Sequence, residues 1–291
     1  MTRAGAAELV AAAVAGRTAV PSFNVIGLEH AEGIVLGAER AGTSVLLQIS
    51  ENAIAFHGGK LRPLVAACRE LADAAEVAIG IHLDHIEDAE LIDEAVALGS
   101  AFGLGSIMVD ASKQDYADNV ATTADAARRA RAAGLWVEAE LGAIGGKDGA
   151  HAPGVRTDPA EAASFVEATG VDGLAVAVGS SHAMATRDAA LDLDLVAALA
   201  AAVDVPLVLH GSSGVPDVLI RQAVEAGIRK INVGTALNLA YTSAVRAFLA
   251  DDDRTSDPRK YQRPAREAVA VAVQSLCEVI SPTVLTRKAV R

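Results

Sequence analysis

Short runs of Val, Ile and Leu recur along the whole chain, and the segments between them carry apolar residues at spacings of three and four. The apolar runs predict eight β-strands, at residues 19–23, 44–49, 77–83, 106–109, 135–141, 174–178, 206–209 and 229–233. The intervening segments predict helices, at residues 27–41, 60–75, 88–98, 116–133, 159–169 and 216–226. Strands that alternate with helices are typical of parallel βαβ units.

Eight such units are the number that closes a barrel, so we predict an α/β fold, a single (β/α)8 TIM barrel with residues 1–291 as one domain. A doubly wound sheet is the alternative. Residues 3–16 resemble a signal peptide in length, but Glu8 interrupts their apolar run, and we expect an N-terminal helix that caps the barrel. The polar segment 251–264 and a last apolar helix form a C-terminal helical tail. We expect this segment to cross the barrel mouth or to reach a neighbouring subunit.

Charge and cysteine content narrow the possible partners. The formal net charge is -12, without a run of Lys or Arg, which argues against nucleic acid and anionic membranes as partners. A phosphate on a substrate would therefore be held mainly by backbone N–H groups and hydroxyls. Cys68 and Cys277 lie far apart and outside any CxxC spacing, so neither a disulfide framework nor a thiolate metal site is indicated, and a cytoplasmic location fits best.

Histidines and carboxylates mark the predicted strand ends, where TIM barrels carry their chemistry. His85, His182 and His210 end three different strands. Three imidazoles that converge at a barrel mouth match a catalytic Zn²⁺ site, in which a fourth position stays open. Glu138 and Glu140 point to one face of the fifth strand, and their burial would be costly without a nearby cation or polar mouth.

Glycine and hydroxyl residues mark the last two strand ends and one long loop. HGSSG at 210–214 and NVGT at 232–235 offer backbone N–H groups and hydroxyls just before helices, which indicates phosphate binding; tight βα turns are the alternative. The glycine-rich loop 142–157 is of the kind that closes over an active site, or it is a plain surface loop. Lys230 is the one lysine near a predicted strand, and it lies at the beginning of that strand. A lysine-based mechanism therefore has little support.

Together these stretches resemble the class II fructose-bisphosphate and tagatose-bisphosphate aldolase family over about residues 21–264. The matching stretches are PSFNVIGLE, SVLLQISENA, HLDH, GSIMVDAS, VEAELGAIGG, GSSH, PLVLHGSSG, KINVGT and DPRKYQRP. The resemblance implies a zinc-dependent aldehyde-lyase of carbohydrate metabolism, such as glycolysis, which splits a ketose bisphosphate or ketose 1-phosphate into dihydroxyacetone phosphate and an aldehyde. It also implies a monovalent cation, Na⁺ or K⁺, near the phosphate, and a homodimer or homotetramer.

The same resemblance gives each candidate residue a role. It implies zinc ligands at His85, His182 and His210, a proton-transferring aspartate at Asp84, and an enediolate-binding asparagine at Asn232. It places Asp110 and Glu140 behind the metal or at a second ion. It also places Gly211, Ser213 and Thr235 at the phosphate of dihydroxyacetone phosphate, and Asn24, Ser50 and Arg259 near the far phosphate.

Three differences from the family lie at the substrate end. Asp148 stands on the glycine-rich loop where the family has a glutamate that moves the α-proton, and Ala183 replaces a glycine of the phosphate and cation site. Residues 184–187 lack the usual aromatic. Because of these differences, the resemblance implies a substrate of the fructose 1,6-bisphosphate or tagatose 1,6-bisphosphate type and does not identify the particular sugar. Two other functions stay open, a zinc-dependent sugar-phosphate isomerase or epimerase and a non-catalytic aldolase partner subunit.

Overall fold

The computed structural model describes residues 3–141, 156–181 and 186–282, and its eight parallel strands close into a barrel in chain order. The strands are β1 Val20–Asn24, β2 Val45–Ser50, β3 Ile79–Ile86, β4 Ser106–Val109, β5 Trp136–Leu141, β6 Gly173–Val176, β7 Leu207–Leu209 and β8 Ile228–Val233. Parallel pairing of β8 with β1 completes the closure. The predicted TIM barrel is confirmed, and the doubly wound sheet is excluded.

Helices surround the barrel and cover one of its ends. They are α1 Ala6–Gly16, α2 Leu28–Ala41, α3 Glu51–Phe56, α4 Leu61–Ala74, α5 Ala89–Leu98, α6 Tyr116–Ala132, α7 Pro159–Thr169, α8 Leu193–Ala202, α9 Asp217–Ala226, α10 Thr235–Asp251 and α11 Pro258–Ile280. The six predicted helices are present, with ends that differ by at most one residue. Within the described ranges, no helix is long and apolar enough to cross a membrane.

Helix α1 closes the amino-terminal end of the barrel, as predicted. Its Leu9 and Val10 belong to an apolar cluster with inward-facing barrel residues, among them Val20, Met108 and Trp136. Fully burying a side chain of this size contributes about 1.5–3 kcal/mol. The barrel is therefore plugged at one end, and the carboxyl ends of its strands form the open mouth.

The C-terminal helix α11 lies along the side of the barrel against α2 and α10. A glycine in α2 allows close packing, since a Cβ atom on Gly37 would lie 2.4 Å from the carbonyl oxygen of Ala270. None of the residues 251–264 lines the main cavity of the described chain, and the expectation that this segment crosses the mouth or reaches a neighbouring subunit stays a prediction. Asp257 caps the first turn of α11 and Pro258 occupies its first position, so the second half of this segment is helical.

Candidate active site

Strand β3 brings two adjacent polar side chains, Asp84 and His85, to the barrel mouth. Side chains alternate between the faces of a regular strand, so neighbours should point in opposite directions. His85 has a φ angle of 51°, and the pairing of β3 with β4 shifts register between Leu83 and Ile86. This irregularity lets both side chains line the same cavity. A left-handed conformation in a residue with a side chain costs roughly 1–3 kcal/mol, which the surrounding contacts must offset.

Asp110, just after β4, fixes the His85 ring. Its Oδ2 accepts a hydrogen bond from Nδ1 of His85 at 2.6 Å, and its Oδ1 accepts bonds from the backbone and hydroxyl of Ser112. Burial raises the pKa of Asp110, but the bond and charge of His85 and the Ser112 donors together bring the pKa below its usual value. The ionised carboxylate therefore accepts a hydrogen bond from a protonated Nδ1, which leaves the lone pair of the neutral ring on Nε2 of His85.

His210, at the end of β7, meets His85 across the mouth, with 3.0 Å between Nδ1 of His210 and Nε2 of His85. Nε2 of His210 lies 2.9 Å from Oε1 of Glu138 and 3.0 Å from Nδ2 of Asn232. The Glu138 carboxylate can only accept and so requires a proton on Nε2, whereas the Asn232 amide nitrogen donates and so requires Nε2 without a proton. We assign the proton to Nε2, because an ionised carboxylate is the stronger partner. Two imidazole lone pairs then face each other at 3.0 Å, an arrangement that a shared cation relieves.

Carboxylates outnumber cationic side chains in this part of the described chain. Glu138 and Glu140 are buried beside the two histidines, together with Asp84 and Asp110. Lys230 pairs with one of the four carboxylates, Glu138, at 2.8 Å. Burying several ionised carboxylates together costs several kcal/mol unless cations lie close to them. Two overlapping groups of donor atoms therefore suit a metal ion: Asp84, His85 and His210; and His85, Asp110 and Glu140.

Buried polar residues continue below this layer. Nζ of Lys230 lies 2.6 Å from Oδ1 of Asn232, and Nδ2 of Asn232 donates to Oδ1 of Asp84 at 3.1 Å. His82 lies deeper, with Nδ1 2.8 Å from the Ser106 hydroxyl. Burial, followed by the Lys230 charge, holds the pKa of His82 well below its usual value, so this ring is neutral. Although Lys230 lies early in β8, its side chain reaches the catalytic end.

A cavity of about 450 Å³ opens over these groups, a size that suits a small-molecule site. Its lining includes seven residues predicted from the sequence: Asn24, Ser50, Asp84, His85, Gly211, Asn232 and Thr235. It also includes polar and aromatic residues that were not predicted: Gln48, Asn52, Phe56 and Asn238. The structure therefore brings together most of the predicted catalytic and substrate positions that it describes.

The predicted phosphate residues lie at the start of α10. Gly211 has a φ angle of 65°, and a Cβ atom there would lie 2.6 Å from the Ser181 backbone, so this position requires glycine. Thr235 is the first residue of α10. The Ser213 hydroxyl accepts a hydrogen bond from the Ala236 backbone N–H at 3.1 Å and lines a neighbouring cavity of about 220 Å³. Ser213 is thus beside the main cavity rather than in its lining.

The residues predicted for the far phosphate differ in position. Oδ1 of Asn24 accepts a hydrogen bond from Gln48 at 3.0 Å, and Ser50 caps α3 by accepting from the Ala53 backbone N–H at 3.3 Å. The Arg259 side chain is 86% exposed and pairs with Asp257, away from the main cavity of the described chain. Three predicted residues lie outside the described residues: His182, Ala183 and Asp148. So does most of the glycine-rich loop.

Four polar strand residues to which the sequence analysis gave no role at the site share a signal that the sequence does contain. Each lies two positions before a predicted residue on the same strand, and residues two apart face the same side. The four pairs are Gln48 and Ser50, His82 and Asp84, Glu138 and Glu140, and Lys230 and Asn232. Inward positions along whole strands, rather than strand ends alone, therefore mark these residues in the sequence.

Comparison with known proteins gives consistent matches over nearly the whole chain. The family model described as fructose-bisphosphate aldolase class-II matches residues 4–283. A fructose-bisphosphate aldolase from Geobacillus stearothermophilus is 36% identical over 270 residues, which cover 91% of this chain and 92% of that protein. The YdjI aldolase from Escherichia coli is similar in structure, with a TM-score of 0.81, 31% identity, and coverage of 96% of this chain and 97% of that one. A fructose-bisphosphate aldolase from Campylobacter jejuni shares the fold, with a TM-score of 0.82, 21% identity and 96% coverage of each chain.

Proposed function

The chain belongs to the class-II fructose-bisphosphate aldolase family and is a lyase, and from that premise we propose its reaction. The proposed enzyme is a zinc-dependent aldolase that reversibly splits a ketose bisphosphate or ketose 1-phosphate into dihydroxyacetone phosphate and an aldehyde. Fructose 1,6-bisphosphate and tagatose 1,6-bisphosphate are the substrate types. The observation that carries the proposal is the approach of imidazole nitrogens of His85 and His210 to 3.0 Å among four buried carboxylates beside the cavity.

We propose His85, His182 and His210 as the zinc ligands. Tetrahedral zinc with Zn–N bonds of about 2.0–2.1 Å holds its nitrogen ligands roughly 3.4 Å apart, close to the separation of the two described rings. Asp110 and Glu138 support this assignment, because their carboxylates can accept hydrogen bonds from the ring N–H groups of His85 and His210 that face away from the proposed metal. We propose that Glu140, whose Oε2 lies 3.8 Å from Nδ1 of His210, and Asp110 lie behind the metal or hold a second ion.

When bound, zinc would supply Lewis-acid polarisation of the carbonyl and hydroxyl oxygens of the substrate. Cleavage then needs a group that takes a hydroxyl proton and a group that returns a proton to the carbon of the enediolate. We propose Asp84, which lines the cavity beside His85, as a proton-transferring group. We propose Asp148 as the group that moves the α-proton. Asn232 would steady the enediolate, since its Nδ2 is held at the cavity wall by Asp84.

Substrate binding is proposed for two ends of the cavity. The phosphate of dihydroxyacetone phosphate would lie near Gly211, Ser213 and Thr235, where the positive N-terminal end of the α10 dipole favours an anion. We also propose that Ala183 and a monovalent cation, Na⁺ or K⁺, lie near this phosphate. The far end of the substrate would meet Asn24 and Ser50.

We propose a homodimer or homotetramer in which Arg259 serves the site of a neighbouring copy. The support is that Arg259 is an exposed cation that lies away from the described cavity of its own chain. A single domain over residues 1–291 and a cytoplasmic location complete the proposal. The two cysteines are buried thiols, and burial raises the pKa of each to about 12.

A coupled assay for dihydroxyacetone phosphate tests this function with fructose 1,6-bisphosphate, tagatose 1,6-bisphosphate and a ketose 1-phosphate. We expect release from at least one of them, loss of release after treatment with a chelator, and recovery on addition of zinc. Conversion of these sugars without release would instead indicate an isomerase or epimerase. Protein that neither binds zinc nor turns over any of them would contradict the proposal and favour a non-catalytic partner subunit.

A further inference from the structure

We propose that Lys230 is a positioning residue that fixes the side-chain amide of Asn232, so that Nδ2 of the amide faces Asp84 and the cavity. This inference rests on the proposed function, in which Asn232 steadies the enediolate. Lys230 itself is fully buried and does not line the cavity, so it acts through its neighbour rather than by contact with substrate.

The surroundings of Lys230 explain why its ammonium group is held in one place. Nζ lies 2.6 Å from Oδ1 of Asn232, 2.8 Å from Oε2 of Glu138 and 3.4 Å from Nε2 of His82. An ammonium group has three hydrogens and no acceptor, and all three neighbours can accept. The contacts with Asn232 and His82 are hydrogen bonds, and the contact with Glu138 is an ion pair. Together the three contacts hold the ammonium group in place.

The two ends of an asparagine amide are nearly equal in shape, so hydrogen bonds decide which end faces which neighbour. Lys230 can only donate, so it selects the oxygen of Asn232. The Asp84 carboxylate accepts the bond from Nδ2 at 3.1 Å, so it selects the nitrogen. Both contacts favour the same orientation, whereas the N–H assigned to Nε2 of His210, 3.0 Å from Nδ2 of Asn232, favours the opposite one. Without Lys230, the amide loses the anchor on its oxygen, and its nitrogen keeps the bond to Asp84 beside this unfavourable neighbour.

The same ammonium group also pairs with Glu138, whose other oxygen lies 2.9 Å from Nε2 of His210. Two routes therefore lead from Lys230 to the site, one through Asn232 and one through Glu138 and the proposed metal ligand. The proposal assigns the catalytic effect of Lys230 to the Asn232 route. An effect through His210 would appear as weaker zinc binding, whereas an effect through Asn232 would appear in kcat.

Lys230→Met alone can fail to fold, because it leaves the buried Glu138 carboxylate without a counter-charge. The test therefore compares Lys230→Met/Glu138→Gln with Glu138→Gln. We expect removal of the lysine to lower kcat by about 10- to 100-fold. This is at or below the effect of losing one oxyanion donor outright, because the amide is still present but less well oriented. The zinc Kd, measured by competition with a chelating dye, and KM should change by less than about threefold. Lys60→Met, at an exposed lysine before α4, is the matched control and should behave as the unmodified enzyme.

A second comparison asks whether Lys230 acts through Asn232. In an Asn232→Ala background the kcat effect of removing the lysine should vanish, because no amide is left to orient. A further tenfold loss in that background, or a zinc Kd that weakens in parallel with kcat, would overturn the proposal.

A third readout does not depend on turnover. The side-chain amide ¹⁵N and ¹H resonances of Asn232 should shift when the lysine is removed in the Glu138→Gln background, with zinc bound. Unchanged resonances would contradict the proposal. If the unmodified protein released no dihydroxyacetone phosphate, the proposed function would fail, while the resonances and zinc affinity would still decide whether Lys230 positions the amide.

Discussion

The two ends of the barrel are built from the same strands but carry opposite chemistry. Inward positions near the strand starts, such as Val20, Leu46 and Trp136, pack beneath α1 in an apolar cluster. Two and four residues further along the same strands, the inward positions become polar. In β5, for example, Trp136 is followed by Glu138 and Glu140 on the same face. The closed end contributes apolar burial to stability, whereas the open end holds charges whose burial costs stability. Substitutions at the two ends should therefore affect different properties.

The largest effect is expected from His210→Ala at the open end. Removal of this imidazole takes away one side of the 3.0 Å pair with His85 and the partner of Glu138. We expect zinc content, measured by atomic emission, to fall to background and aldolase activity to fall below detection. Full activity in zinc-free protein would disprove the site. His57→Ala, at an exposed histidine in a loop after α3, is the matched control.

Asp84→Ala should separate proton transfer from metal binding. The three proposed histidine ligands remain, so we expect zinc to stay bound while kcat falls by about 10²–10⁴-fold, the usual contribution of a general acid or base. Zinc stoichiometry and steady-state kinetics on the same sample measure both. An unchanged kcat would move the proton-transfer role to Asp148 or to another group.

Trp136→Ala tests the closed end. This large side chain is buried in the cluster beneath α1, and its loss should lower the free energy of unfolding by about 3–5 kcal/mol. Because the mouth lies at the other end of the strands, kcat per folded molecule should stay within twofold of the unmodified enzyme. Chemical denaturation and active-site titration check the two claims. A collapse of kcat in folded protein would show that the two ends are not independent.

The smallest effect is expected from Asp110→Asn, which keeps the shape of the side chain but removes its charge. The amide accepts more weakly from Nδ1 of His85, so the tautomer that offers Nε2 to the metal loses part of its support. Loss of such an outer partner typically weakens metal binding by about 10- to 100-fold. Titration of metal-free protein with zinc measures this change. An unaltered zinc affinity would mean that Asp110 does not set the tautomer.

The strand and helix positions could be predicted because each depends on local patterns of apolar residues. Convergence of Asp84, His85, His210 and Asn232 also followed from the sequence, because a parallel barrel brings all strand ends to one mouth. The direction of His85 did not follow. A regular strand would point it away from Asp84, and the φ angle of 51° that corrects this depends on tertiary contacts.

Side-chain reach explains other differences between sequence and structure. Lys230 is early in β8, yet its long side chain runs along the barrel interior to Asn232. Ser213 follows a strand end as predicted, but its hydroxyl binds a helix N–H group beside the cavity. Neither outcome can be predicted from position alone, because both depend on which partner lies within reach after folding.

The central claim is that imidazole nitrogens of this mouth hold zinc, and zinc K-edge X-ray absorption of the loaded protein tests it most directly. The account predicts nitrogen ligands at about 2.0–2.1 Å with the multiple-scattering signature of imidazole. In His85→Ala the imidazole signature should weaken, because one of three ligands is gone, or the zinc itself should be lost. A ligand shell of oxygens alone, or an imidazole signature unchanged by His85→Ala, would contradict the account.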